Sequence, residues 1–121
     1  MTRSPFPAGP GPAPRVEALP GQWAALHEAA ALVARLAGAA AHDHAAALLT
    51  QPCPEPIRRA AGWRLGLIAQ GLADMAAILE GGIRALLVAQ ARGGPVGPAA
   101  EALWDEFLSA RAALLELAGR S

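Results

Sequence analysis

The feature that most constrains the fold is a run of apolar residues, spaced by three or four positions, in the second half of the chain. The run comprises Leu65, Ile68, Leu72, Met75, Leu79, Ile83 and Leu86. This spacing is typical of a helix that packs along one face in a coiled-coil-like manner. We therefore predict a long helix from Pro56 or Ile57 to Arg92. Gly81 and Gly82 lie inside the run and would kink or split this helix, because glycine weakens helices.

Two further helices are predicted, one on each side of the long helix. The first spans Gln22–Leu49 and ends before Pro52, Pro54 and Pro56, since alternating prolines do not continue a helix. The last spans Ala99–Ala118, after the Gly- and Pro-rich segment 92–98. No stretch shows sustained strand alternation. The sequence therefore predicts an all-α fold, an up-down antiparallel bundle of three long helices, or of four helical pieces if the second helix splits.

The apolar face of each predicted helix supplies the predicted core. Its members are Trp23, Leu26, Val33, Leu65, Ile68, Leu72, Met75, Leu79, Leu103, Phe107, Leu114 and Leu115. Residues 1–20 hold six of the eleven prolines, together with Gly9 and Gly11. Such a composition favours neither helix nor sheet. We predict a disordered tail over 1–20, with a solubilising role or a polyproline ligand role, and a helical domain over 21–121.

Composition excludes several classes of function. Ten arginines balance ten acidic residues, which argues against nucleic acid as the main partner because phosphate binding needs a basic excess. The single cysteine, Cys53, excludes an internal disulfide and suggests a cytoplasmic location. The most apolar stretch, 65–79, is shorter than the roughly 20 residues of a membrane span, so no such span is predicted. Richness in Ala, Gly, Pro and Arg without lysine suggests a GC-rich bacterial genome.

The second helix carries more apolar surface than a single core face requires. Trp63, Leu67 and Ile78 form a stripe roughly opposite the main run, which predicts an interface with a partner. From the third helix we add Trp104 and Arg111 to the predicted interface. Arg111 would extend its charge to solvent at the rim of the bundle. Two alternatives remain for Arg111. It could form a buried ion pair with Asp74, or its guanidinium could stack over Trp104 or Phe107.

Three histidines and the cysteine were weighed as sites of chemistry. His42 and His44 point about 200° apart on a helix and cannot share one metal ion locally. We predict solvent positions for His27 and His42, and a core or interface position for His44. Cys53-Pro54 resembles short haem-regulatory motifs, although a structural loop cysteine is the favoured interpretation. Without paired carboxylates or a metal signature, we predict a non-enzyme that needs no cofactor.

The helix before the Cys53-Pro54-Glu55-Pro56 break, together with the long Ala-rich helix after it, resembles the phasin group of bacterial proteins. The resemblance covers about residues 25–92; the Gly81-Gly82 pair and the Trp-containing third helix depart from it. It implies a non-enzymatic coat on storage polyester granules, adsorbed through the stripe at Trp63, Leu67 and Ile78 or through the main seam after the bundle opens.

The favoured hypothesis is a non-enzymatic helical interaction protein that self-associates, as a homodimer or larger oligomer, or binds another helical protein. The alternatives are the phasin-like coat and a small metal- or haem-binding bundle. A sharp melting transition with a defined oligomer favours the first, and partition to droplets favours the second. Retention of metal or haem that depends on His44 or Cys53 favours the third.

Overall fold

The fold is described by a computed structural model that covers residues 14–38 and 43–119, with the backbone alone at 43 and 44. The described residues form five α-helices, preceded by a short 3-10 turn at Val16–Ala18, and they contain no strand. The helices are α1 (Leu19–Ala37), α2 (Asp43–Leu49), α3 (Glu55–Arg58), α4 (Gly62–Ala91) and α5 (Gly97–Gly119). The prediction of an all-α fold is confirmed.

The first predicted helix is two helices. α1 ends at Ala37 because Gly38 takes a left-handed conformation, with φ of 79°, and its amide donates to the carbonyls of Ala34 and Arg35. Such a glycine closes a helix at little steric cost. The start is also earlier than predicted: Pro20 occupies the first turn, where no amide partner is lost. Residues 1–13 of the predicted tail, and His42, lie outside the described residues.

The second predicted helix divides at a different place from the one expected. A short α3 is followed by an extended residue, Ala61, and by Gly62 with φ of 61°, and α4 begins there. Gly81 and Gly82 do not interrupt α4, which continues for 30 residues. A Cβ atom at Gly82 would lie 2.5 Å from Cδ2 of Leu103, so this glycine allows α5 to approach α4. The glycine pair therefore permits close packing and introduces no break.

α4 and α5 form an antiparallel helical hairpin. Gly71 of α4 lies against Leu114 of α5, and Gly82, further along α4, lies against Leu103, which comes earlier in α5. The two helices therefore run in opposite directions. Gly93, with φ of 81°, closes α4 and turns the chain. α1 packs against both members of the hairpin, and α3 packs against α5.

The core lies between α1, α4 and α5 and contains most of the predicted residues. Leu65, Leu103 and Leu115 differ from the prediction, since they are only partly buried at its edge. Leu19 and Ile57 were not predicted and are fully buried. Ile57 reaches the core because α3 turns this aliphatic residue inward, where α3 packs against α5 and α1.

Candidate functional site

Within the part of the chain that the structure describes, the large exposed apolar side chains lie on α4. Trp63 is 62 % exposed, Leu67 is 52 % exposed and Ile78 is 44 % exposed, as the predicted interface requires. Val88, at 47 %, and Leu87, at 44 %, were not predicted. A water-exposed tryptophan is unusual in the absence of a binding role, because its side chain carries one of the largest apolar surfaces.

Four of these residues share one side of α4. At 100° per residue, Trp63, Leu67, Ile78 and Val88 fall within an arc of about 80°, and they extend over about 38 Å of helix. Leu87 lies about 100° away from Val88. We call the four residues the α4 outer face. Its direction is well away from the buried face of α4, which carries Ile68, Leu72 and Leu79.

Polar side chains lie between the apolar residues of the α4 outer face. Nε2 of Gln70 donates a hydrogen bond to Oδ1 of Asp74 across 2.7 Å, one helical turn apart. Arg84, further along the same side, is exposed. At the N-terminal end, the Arg64 guanidinium lies 4.9 Å from the centre of the Trp63 ring. Ile78 therefore lies between two polar stretches of the face, with Gln70 and Asp74 on one side and Arg84 on the other.

Two members of the predicted interface lie inside the protein. Trp104 and Arg111 are each only 8 % exposed. Trp104 packs against Phe107, with ring centres 5.4 Å apart. Neither side chain is on a surface that a partner reaches in this conformation, so the candidate interface is confined to α4. Arg111 neither extends to solvent nor pairs with Asp74, because it is held by hydrogen bonds in the interior.

The interior contains a polar cluster built around His27 and Arg111. Nε of Arg111 donates to Nε2 of His27 across 2.9 Å, and its terminal NH2 group donates to Oε1 of Gln51. The guanidinium also lies over the Trp23 ring, 5.0 Å from its centre. Among the side chains that the structure describes, no carboxylate is paired with Arg111. The prediction that His27 faces solvent is wrong, because the structure buries this side chain.

The two hydrogen bonds of His27 require one protonation state. Its Nδ1 lies 2.7 Å from the Trp23 carbonyl, which can only accept, so Nδ1 carries the proton. Nε2 must then be unprotonated in order to accept from Arg111. Burial lowers the pKa of His27 below 6.5; the bond to Trp23 opposes this shift and the charge of Arg111 reinforces it. Burial also lowers the pKa of Arg111. The cluster holds a neutral histidine beside a cation.

A groove of about 500 Å³ lies beside this cluster, between the start of α1 and the loop after α2. Trp23, His27 and Cys53 all contribute to its lining. Both ring nitrogens of His27 are already bonded, and burial raises the pKa of the Cys53 thiol. Among the described side chains of 14–38 and 45–119, no three metal-binding groups lie around a common point. The side chain of His44, the predicted ligand, lies outside the described residues.

The sequence contained a signal for the His27 position that the prediction overlooked. His27 follows Trp23 by four residues, which places the two side chains about 40° apart on a helix. The sequence alone does not predict the hydrogen bond between His27 and Arg111, because that bond depends on how α5 packs against α1.

A scan against protein-family models, a search of curated proteins and a search of solved structures found no match to this chain. No helix in the described part of the chain has both the length and the apolar character needed to cross a membrane.

Proposed function

We propose that this chain is a non-enzymatic helical interaction protein and that the α4 outer face is its binding surface. One observation carries the proposal: four large apolar side chains, each nearly half exposed or more, align along about 38 Å of a helix whose opposite side fills the core. Removing apolar surface from water is favourable by about 25 cal/mol per Å², and the entropic cost of association is subtracted from this gain. A helical partner laid along α4 would cover the whole face at once.

The rest of the fold supports this role. In the proposal, α1, α4 and α5 form an up-down bundle that holds α4 straight, while α2 and α3 close one end. Trp63 and Val88 lie near opposite ends of α4, and the core holds Leu72 and Leu79 between them. The face is therefore presented on a rigid element, which lowers the entropic cost of binding. The proposed partner is a second copy or another helical protein in the cytoplasm.

The test introduces charge into the face. Trp63→Glu and Ile78→Glu should leave the helical circular dichroism unchanged, because neither side chain is in the core. Both variants should shift the mass measured by sedimentation equilibrium toward the monomer. Ala113→Glu, on the exposed side of α5, is the matched control and should behave as the parent protein.

The same variants test the phasin-like alternative. Adsorption of the parent protein to polyester granules or oil droplets, lost in Trp63→Glu and retained in Ala113→Glu, would favour a coat on a hydrophobic surface. A parent protein that stays monomeric at high concentration and ignores droplets would refute both uses of the α4 outer face.

A further inference from the structure

We infer that the α4 outer face binds a second copy of this chain, with the two α4 helices antiparallel about a two-fold axis that passes level with residue 79. This inference rests on the proposed function and specifies its partner. It is carried by three observations on the exposed side of α4: the spacing of its residues, the placement of its charges and a glycine that the monomer does not need.

The exposed side of α4 has a heptad spacing of its own. Eight positions separated alternately by four and three residues are all exposed. They are Trp63, Leu67, Gln70, Asp74, Ala77, Gly81, Arg84 and Val88. This alternation is the period of a coiled-coil seam, and it is distinct from the seam that α4 uses in its own core. We call these eight positions the outer seam.

The charges of the outer seam complement each other only in one orientation. Asp74 and Arg84 are ten residues apart, with residue 79 at their midpoint. Antiparallel pairing about that level places Asp74 of each copy opposite Arg84 of the other, and two equivalent ion pairs result. Parallel pairing would place like charges opposite each other, which is unfavourable. Gln70, through its hydrogen bond to Oδ1, leaves the other oxygen of Asp74 available to the second copy.

The centre of the outer seam allows close approach. In the same arrangement Ala77 of each copy faces Gly81 of the other and Ile78 lies next to the two-fold axis. Val88 faces Gln70, while Trp63 extends past Ala91, the last residue of the other α4, and is covered only at its edge. A Cβ atom at Gly81 would meet nothing within 4 Å in the monomer, whereas Cβ atoms at Gly71 and Gly82 would clash with α5 side chains. The packing of α5 on α4 explains the glycines at 71 and 82. Gly81 has no such neighbour in the monomer, and in the inferred arrangement Ala77 of the second copy lies against it.

The experiment exchanges the two charges in the full chain and measures the dimer Kd by sedimentation equilibrium. Asp74→Arg and Arg84→Asp, made singly, should each weaken dimerisation about ten-fold, because each converts two attractions into two repulsions. The double variant Asp74→Arg/Arg84→Asp should return to within about three-fold of the parent, because both ion pairs are restored with reversed polarity. Added salt should weaken the parent dimer.

Glu80 provides a matched control of the same charge. It is exposed on α4 at the flank of the outer seam, and near the two-fold axis it approaches its own counterpart. Glu80→Gln should therefore leave dimerisation unchanged or strengthen it, whereas Asp74→Asn should weaken it.

The outcomes separate this arrangement from the proposed function. If Trp63→Glu and Ile78→Glu abolish assembly but the double variant does not recover, the face binds and the inferred arrangement is wrong. That result includes the register shifted by one heptad, which would place Trp63 opposite Val88 and leave Asp74 and Arg84 unpaired. If no substitution on α4 changes the mass in solution, both the arrangement and the use of this face for self-association are wrong.

Discussion

Arg111 donates a hydrogen bond from its Nε to Nε2 of His27 across 2.9 Å, although 84 positions separate the two residues in the chain. The bond joins α1 to α5 in the interior. A buried arginine is usually paired with a carboxylate, and here a neutral imidazole and the side-chain oxygen of Gln51 take that place. The stability of the fold therefore depends on the protonation state of one histidine.

We expect stability to rise with pH in the range below 6.5, the pKa of His27 in the unfolded chain. The pKa of His27 in the folded protein lies below its unfolded value of 6.5, mainly because the side chain is buried. The unfolded chain then binds more protons in this range, so the stabilisation is complete above 6.5 and declines as pH falls toward the folded pKa. Urea unfolding at several pH values measures the trend. His27→Gln should reduce the slope, and a slope equal to that of the parent would contradict the assignment to His27.

Arg111→Leu should lower the free energy of unfolding by about 2 kcal/mol, because it leaves Nε2 of the buried His27 without a donor. Oε1 of Gln51 also loses its donor, but Gln51 is exposed and water replaces that bond. Arg58→Leu is the matched control: its guanidinium is exposed and bonds the Cys53 carbonyl. The control should change stability by less than about 0.5 kcal/mol. Equal effects of the two substitutions in urea titrations would show that the interior bonds contribute nothing.

Gly81→Ala should stabilise the monomer by about 0.5–1 kcal/mol, because alanine is the better helix former and its methyl group meets no neighbour. Gly71→Ala should stabilise less or should destabilise, since its Cβ atom would lie 2.6 Å from Cδ2 of Leu114 in the core. Thermal unfolding in dilute solution compares the two. The same Gly81→Ala protein should dimerise more weakly, so opposite effects on stability and association are expected from one methyl group.

Trp104→Glu and Trp63→Glu should have different consequences although both replace a tryptophan by a charge. Trp104 is buried against Phe107, and a carboxylate there would lose its hydration without gaining a partner. We expect loss of cooperative unfolding for Trp104→Glu and a normal transition for Trp63→Glu. If the Trp104→Glu protein folds normally and assembles more weakly, Trp104 belongs to the interface and its assignment to the interior is wrong.

Helical periodicity predicted the parts of the fold that depend on local sequence. The run from Leu65 to Leu86 indicated α4 and its buried side, and the exposure of Trp63 and Ile78 agrees with the predicted stripe. The breaks at Gly38 and Gly62 were missed because apolar spacing continues across both positions, whereas the backbone turns there through left-handed glycines.

The positions of Trp104 and Arg111 show a second limit. Both were predicted to lie in an interface, and both are buried. Whether a side chain on α5 is enclosed depends on α1, which packs across it from the other end of the chain. Periodicity along one helix does not contain that information. The partner of Arg111 was likewise sought among carboxylates, and a neutral histidine was overlooked.

The antiparallel hairpin of α4 and α5 has a consequence for the order in which the chain folds. Its two helices are neighbours in sequence, so the loop that joins them closes at little entropic cost. The bond between His27 of α1 and Arg111 of α5 joins residues 84 positions apart, whereas Gly82 and Leu103, in contact across the hairpin, are 103 − 82 = 21 positions apart. Contacts that close long loops tend to form late. We expect the hairpin to form before the rate-limiting barrier and α1 to dock after it. Weakening the bond between α1 and α5 would then accelerate unfolding and leave the folding rate almost unchanged.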